Sequence, residues 1–300
     1  MSLTQRQIAS FSSEGWLDLG PVLSTEEIDT HRAAYDSCLA ALAERHAGDD
    51  NLLPDISRPP RPGLQVHQIR AAHLQHEVFA ELIRRPQITD AVASLVADDL
   101  KIILCQGLYK PPRIGGELNW HQVCAANPTA SMLAVLPSDR PRTRCLCADR
   151  AVPWPRVALT DLCRAWCQDD AYFETESVGH KVAPLVSCWV TFDDATVDSS
   201  CMWVLPGGHA SGVLEHATAQ GLHLEGIDES IARPVELKAG HAMLHHGAMP
   251  HRTLPNTSPN PRRAVAIHYV PANATTRNSF RQGEPPENTP LVRSGSGAKL

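Results

Sequence analysis

The chain changes its period at Lys101, and that change limits the folds open to it. Before Lys101 apolar residues recur at helical spacing, and after it they come in short runs of strand length. Ser24 followed by Glu27 has the pattern of a capping box, in which each side chain reaches the other's backbone N–H. It predicts a helix from Thr25 to about His46, with Ile28, Ala34, Leu39 and Leu42 on one face. Pro54, Pro59, Pro60 and Pro62 exclude regular structure from the next stretch. A second helical region is predicted over about 76–97, interrupted at Pro86, and a short strand over 16–23.

Beyond Lys101 the runs 101–109, 185–192, 201–205, 235–238, 242–245 and 264–270 are each bounded by Gly, Pro, Asn or Asp. Helices followed by short strands predict a mainly β fold, a double-stranded β-helix (jelly roll, cupin-like) with N-terminal helices as a flank. The expected organisation is one domain over 1–272, with 1–100 as flank and 101–272 as β core. A polar, flexible C-terminal tail is expected over 273–300.

Composition excludes several classes. No run of about 18 apolar residues is present to span a membrane. The first residues have no basic segment leading into an apolar one, so the chain is expected to be cytoplasmic unless another address intervenes. A net charge of −6 without a Lys/Arg block argues against nucleic acid as a partner. The nine cysteines are then expected to be thiols.

The chemistry concentrates at 250–263, which reads PHRTLPNTSPNPRR. His251 at the end of one strand and Arg262 on the next strand of a jelly roll can face one cavity, as a metal ligand beside a carboxylate clamp. Upstream, Asn119-Trp-His-Gln122 supplies a second imidazole, His121, and a site with two imidazoles calls for a carboxylate nearby.

These segments do not stand alone. FSSEGWLDLGPVLS near the start, YKPP before NWHQ, and CWVTFDDATVDSSCMWVLPGGHASG leading into AGHAMLHHGAMPHRTLPNTSPNPRR complete a pattern. With them the chain resembles the phytanoyl-CoA dioxygenase family of Fe(II)- and 2-oxoglutarate-dependent oxygenases. The resemblance implies a metal triad of His121, Asp169 and His251, with Asp170 as the alternative carboxylate. It implies that Arg262 and Thr253 bind 2-oxoglutarate and that Gln106 and Trp189 line its pocket. Arg263, on the opposite face of the strand, is expected at the surface. His245, His246 and His268 are expected to flank the site or face solvent, and His209 to be structural. The implied activity is hydroxylation of a small hydrophobic substrate, a fatty acyl-CoA among the candidates. Dioxygen would be co-substrate and ascorbate a candidate reductant.

The sequence departs from the family's His-x-Asp motif. Val123 follows His121-Gln122, whereas joining Gln122 to Asp169 restores His-Gln-Asp. The 46 residues between hold six Arg and no Lys, three Asp and no Glu, and five of the nine cysteines. Val codons begin GT and Gln168 can be read CAG, so an intron translated in frame is expected, with a genuine family-specific insertion as the alternative. Two readings follow: an active dioxygenase, or a catalytically silent jelly-roll binding protein whose first two ligands the insert has separated. The chain ends Ala298-Lys299-Leu300, a variant of the peroxisomal Ser-Lys-Leu signal, so the peroxisomal import receptor is an expected partner and the peroxisome an expected location.

Overall fold

A computed structural model describes residues 2–45, 68–113, 173–176, 185–214, 227–278 and 289–295. Helix α1 (Gln5–Glu14) opens on a reciprocal box: Gln7 N–H donates to Thr4 Oγ1 and Thr4 N–H to Gln7 Oε1. Gly15, at φ +77°, ends it and turns the chain into β1 (Trp16–Pro21). Ser24 and Glu27 cap α2 (Thr25–Arg45) with bonds of 2.7 and 3.3 Å. Ile28, His31, Ala34, Tyr35, Cys38 and Leu42 are the buried face of α2.

A short β2 (Gln68–Arg70) and the single-turn α3 (Ala72–Gln75) lead into α4 (Glu77–Leu82). Pro86 then begins α5 (Pro86–Leu95), a position where its missing N–H removes no helical bond. The strands are β3 (Leu100–Lys110), β4 (Phe173–Glu176), β5 (Val186–Thr191), β6 (Met202–Val204), β7 (Arg233–Val235), β8 (His241–His246), β9 (His251–Thr253), β10 (Arg262–Pro271), β11 (Thr275–Asn278) and β12 (Leu291–Arg293).

The main sheet runs β1-β8-β5-β10-β3-β12 with β2 also on β3, and the smaller sheet runs β7-β6-β9. β4 and β11 form a separate antiparallel pair. Alternation along the main sheet separates two cores. Cys105, Val186, Cys188, Val190, Leu244, Val265, Ile267 and Tyr269 face outward, packed with Phe11, Tyr35, Phe79, Ile88 and Val92 of the helices. Trp189, Met243 and Ala264 face inward and pack against Met202, Val204 and Val235 of the small sheet. Two antiparallel sheets face each other, with helices covering the outside of the larger one. The fold is a jelly roll with an N-terminal helical flank.

Some expectations change. The run at 235–238 is not a strand: the chain leaves β7 after Val235, and Leu237 instead exchanges bonds of 3.0 and 2.8 Å with Ala195. The stretch expected as a free tail contains β11, and β12 as well, which adds to β3 and buries Val292. His251 does not end a strand; it begins β9, in the small sheet. The 123–168 segment and the terminal tripeptide lie outside the described residues, and no helix among those described is long and apolar enough to cross a membrane. Cys38, Cys105, Cys188 and Cys201 are free and buried, and burial pushes the thiols of Cys105 and Cys201 up to about 12. They serve packing.

Candidate active site

Arg262 is the first residue of β10, opposite Lys110 of β3. Ala264 belongs to the inner core, so period-two alternation turns Arg262, Ala266 and His268 inward with it. Arg262 is fully buried, donates from Nη1 to the Leu108 carbonyl at 3.1 Å, and sets its guanidinium carbon 5.4 Å from the centre of the Trp189 ring. Burial draws its pKa down to about 10 against the pull of Tyr35, Asp193 and Cys201. A cation in that condition is stabilised by an anion brought to it.

Trp189 is also fully buried, and its Nε1–H has no hydrogen-bond partner among the described residues. Gln106, Ala266 and Trp189 occupy one row across β3, β10 and β5, with the alanine leaving the two larger side chains apart. The loop before Arg262 is stapled by Asn256, which sequence reasoning passed over. Its amide donates to the carbonyls of Lys110 and Asn260 at 3.1 and 2.8 Å, and its Oδ1 accepts from Ser258 N–H at 3.0 Å. An Asx turn of this kind fixes where β10 begins and hence where Arg262 points.

Arg263 faces outward, but the helical flank covers it. Its guanidinium donates to Asp36 of α2 at 2.7 and 3.0 Å and to Asp193 at 2.9 and 3.1 Å. Burial works against its charge, and the two carboxylates outweigh that and raise its pKa.

His251 and Thr253 oppose Val204 and Met202, two residues of the inner core, so both look toward the main sheet from the small one. His251 Nδ1 lies 3.0 Å from the Met249 carbonyl. A carbonyl only accepts, so Nδ1 carries the proton and Nε2 keeps the lone pair a metal needs. His245, expected to flank the site or face solvent, is buried, and its ring centre is 4.8 Å from that of His251. His268 is buried as well, bonded to Ser187 at 2.6 Å. His245, Ser187 and His268 form a second row across β8, β5 and β10. His209 and His246 stack 5.1 Å apart at the end of α1, where burial and the neighbouring His209 depress His246 to about 4.

Of the residues singled out from sequence, His251, Thr253, Arg262, Trp189 and Gln106 lie on inner faces. His121, Asp169 and Asp170 lie outside the described residues. Among the described residues no group of three His, Cys, Asp or Glu is placed to hold a metal ion.

A family model for Phytanoyl-CoA dioxygenase (PhyH) matches residues 158–264, taking in the end of the segment whose composition is foreign. A Phytanoyl-CoA dioxygenase domain-containing protein 1 homolog of Dictyostelium discoideum is 29% identical over 311 residues, covering 90% of this chain and 92% of its own. The chain is similar in sequence to phytanoyl-CoA dioxygenase family proteins over most of its length. A further relative, Phytanoyl-CoA dioxygenase domain-containing protein 1 of Mus musculus, is 21% identical over 215 residues, and the match covers 68% of this chain and 57% of that one. The chain thus spans little more than half the length of this relative.

Solved structures share the fold. The non-heme monooxygenase ThoJ, in its apo form, superposes with a TM-score of 0.62 at 22% identity, over 96% of this chain and 84% of that one. The epimerase SnoN, in complex with Fe3+, alpha ketoglutarate and nogalamycin RO, superposes with a TM-score of 0.58 at 17% identity, over 96% and 98%.

Proposed function

We propose that the chain is an Fe(II)- and 2-oxoglutarate-dependent oxygenase that hydroxylates a small hydrophobic substrate, with fatty acyl-CoA as one candidate class. The observation that carries the reading is a fully buried guanidinium beside an indole N–H that has no partner among the described residues, on the wall facing His251. That donor set fits the distal carboxylate of a dicarboxylic 2-oxo acid. The family-model match and the ligands named for SnoN support the same pairing of iron with 2-oxoglutarate.

In this reading His251 would hold iron together with His121 and Asp169. Arg262 and Thr253 would hold the far carboxylate of 2-oxoglutarate, and Gln106 and Trp189 would line its pocket. Bound together, iron and 2-oxoglutarate supply the oxidising power, using dioxygen and yielding succinate and CO2 as the substrate gains a hydroxyl group. The chain's own residues bind and orient. Arg262 aims one end of the co-substrate, and the Met249 carbonyl holds the His251 proton on Nδ1. The inward core of Trp189, Met243 and Ala264 keeps water from the enclosed face.

The test is iron content with 2-oxoglutarate turnover. Asp169→Ala should abolish substrate-dependent CO2 release, and unchanged release would remove Asp169 from its role. A metal-loaded wild-type chain that neither retains iron nor forms succinate would refute the oxygenase and favour the silent binding protein.

A further inference from the structure

We infer that Lys110 and Ser200 are positioning residues: through one shared acceptor, the Leu254 carbonyl, they set the loop whose two ends carry Thr253 and Arg262. The inference rests on the reading that Thr253 and Arg262 hold the far carboxylate of 2-oxoglutarate, and it deepens that reading by naming what aims them.

The loop is poorly equipped to staple itself. Between Thr253, the last residue of β9, and Arg262, the first of β10, the chain reads LPNTSPNP. Pro255, Pro259 and Pro261 bring no N–H, so three of these eight residues have no backbone donor. The path of the loop therefore depends on partners from other elements. Asn256 reaches the Lys110 carbonyl, and the Asp198 carbonyl accepts from Thr257 N–H at 2.8 Å and from Ser258 N–H at 3.2 Å. Next to Thr253 the hold is by side chains. Lys110 Nζ donates to the Leu254 carbonyl at 2.5 Å, and Ser200 Oγ donates to the same oxygen. A carbonyl has two lone pairs, so both bonds are made at once.

Each donor stands where its residue type is unfavourable without such a bond. Lys110 is 1% exposed, and an ammonium taken out of water has to be met by oxygen. Ser200 is fully buried at φ +75°, a conformation in which a Cβ is strained and glycine is not. Glycine would relax the backbone there, so what serine contributes is its hydroxyl. Strain held in place by one hydroxyl bond marks a geometric demand. The place of that demand is specific. Lys110 ends β3 of the main sheet, opposite Arg262, whereas Ser200 leads into β6 of the small sheet, where Met202 pairs with Thr253. Their common acceptor ties the two sheets together where the loop crosses between them, and so fixes the separation of Thr253 from Arg262.

The test uses the Mn(II)-loaded full chain, with 2-oxoglutarate affinity by calorimetric titration, thermal unfolding, and amide hydrogen exchange across 254–262. Lys110→Met, Ser200→Ala and Ser200→Gly should each weaken 2-oxoglutarate binding by about fivefold or more, the size of one net hydrogen bond, and speed exchange at Thr257 and Ser258. Ser200→Gly should unfold at a higher temperature than Ser200→Ala, because it sheds the strained Cβ, yet bind no more tightly. Affinity that instead tracks the unfolding temperature would overturn the inference. Lys110→Met combined with Ser200→Gly should bind about as weakly as the weaker single variant, since both act through one oxygen; losses that multiply would overturn it too. So would unchanged affinity and exchange in Ser200→Gly, the variant whose fold is least disturbed. A wild-type chain that binds no 2-oxoglutarate would overturn the co-substrate reading, and exchange in the same variants then decides whether the two donors hold the loop.

Discussion

Arg262→Met should make the ligand-free protein more stable and the ligand-saturated protein less stable than wild type. Burial draws the Arg262 pKa from its ordinary value down to about 10, so desolvation outweighs the partial compensation from Tyr35, Asp193 and Cys201. At about 1.36 kcal/mol per unit, that is roughly 3 kcal/mol of unfavourable burial. Methionine fills a similar volume without charge, but it leaves the Leu108 carbonyl without the donor now 3.1 Å away, at about 1–3 kcal/mol. The expected net gain is about 1 kcal/mol. A ligand that binds only the folded wild type, present at about 100 times its dissociation constant, adds about 2.7 kcal/mol and reverses the order. The assay is urea unfolding of both proteins, each with one equivalent of Mn(II), with and without 2-oxoglutarate. A variant less stable than wild type without ligand would show that the charge is compensated after all. An equal 2-oxoglutarate shift in both proteins would show that Arg262 is not its anchor.

Removing residues 123–168 should tighten iron binding, because the chain then runs from Gln122 directly to Asp169; equal affinity of the two forms by titration would refute it. Gly15→Ala should cost about 2–4 kcal/mol in urea unfolding, since φ is +77° there and a Cβ would stand 2.3 Å from His209 Nδ1 and 2.4 Å from Met249 Cε. An unchanged midpoint would show that this corner yields. Glu27 is held down to about 2 by its bonds to Arg85 and to the Ser24 N–H, so its contribution is complete above pH 4.5 and is lost as pH falls toward 2. Glu27→Gln should lose less stability than wild type between pH 5 and pH 3. The difference should stay under about 1 kcal/mol because the pair is partly exposed and screened, and identical losses would remove the pair from acid unfolding.

The architecture was legible wherever local chemistry repeats itself. The Ser24–Glu27 box announced α2 and the break at Pro86 began α5. Thr4 and Gln7 carried the same signal for α1 and were passed over. What could not be read is register. His245 and His268 share a row only because β8 and β10 both pair with β5 in one particular alignment, with Ser187 between them. Nor does alternation say what covers a face, so Arg263 could be turned outward on paper without foreseeing Asp36 of α2 above it. The Met249 carbonyl beside His251 is backbone chemistry with no residue signature.

Arg262 and Arg263 are joined by one peptide bond and look into different compartments of the molecule. A β-strand slides as a unit, so any drift of β10 that re-aims Arg262 must also drag Arg263 off Asp36 and Asp193. The outer ion pair therefore works as a detent, giving the strand one mechanical setting. Transplanting this β core onto a different helical flank would need a replacement for Asp36 before the inward arginine could be expected to keep its aim.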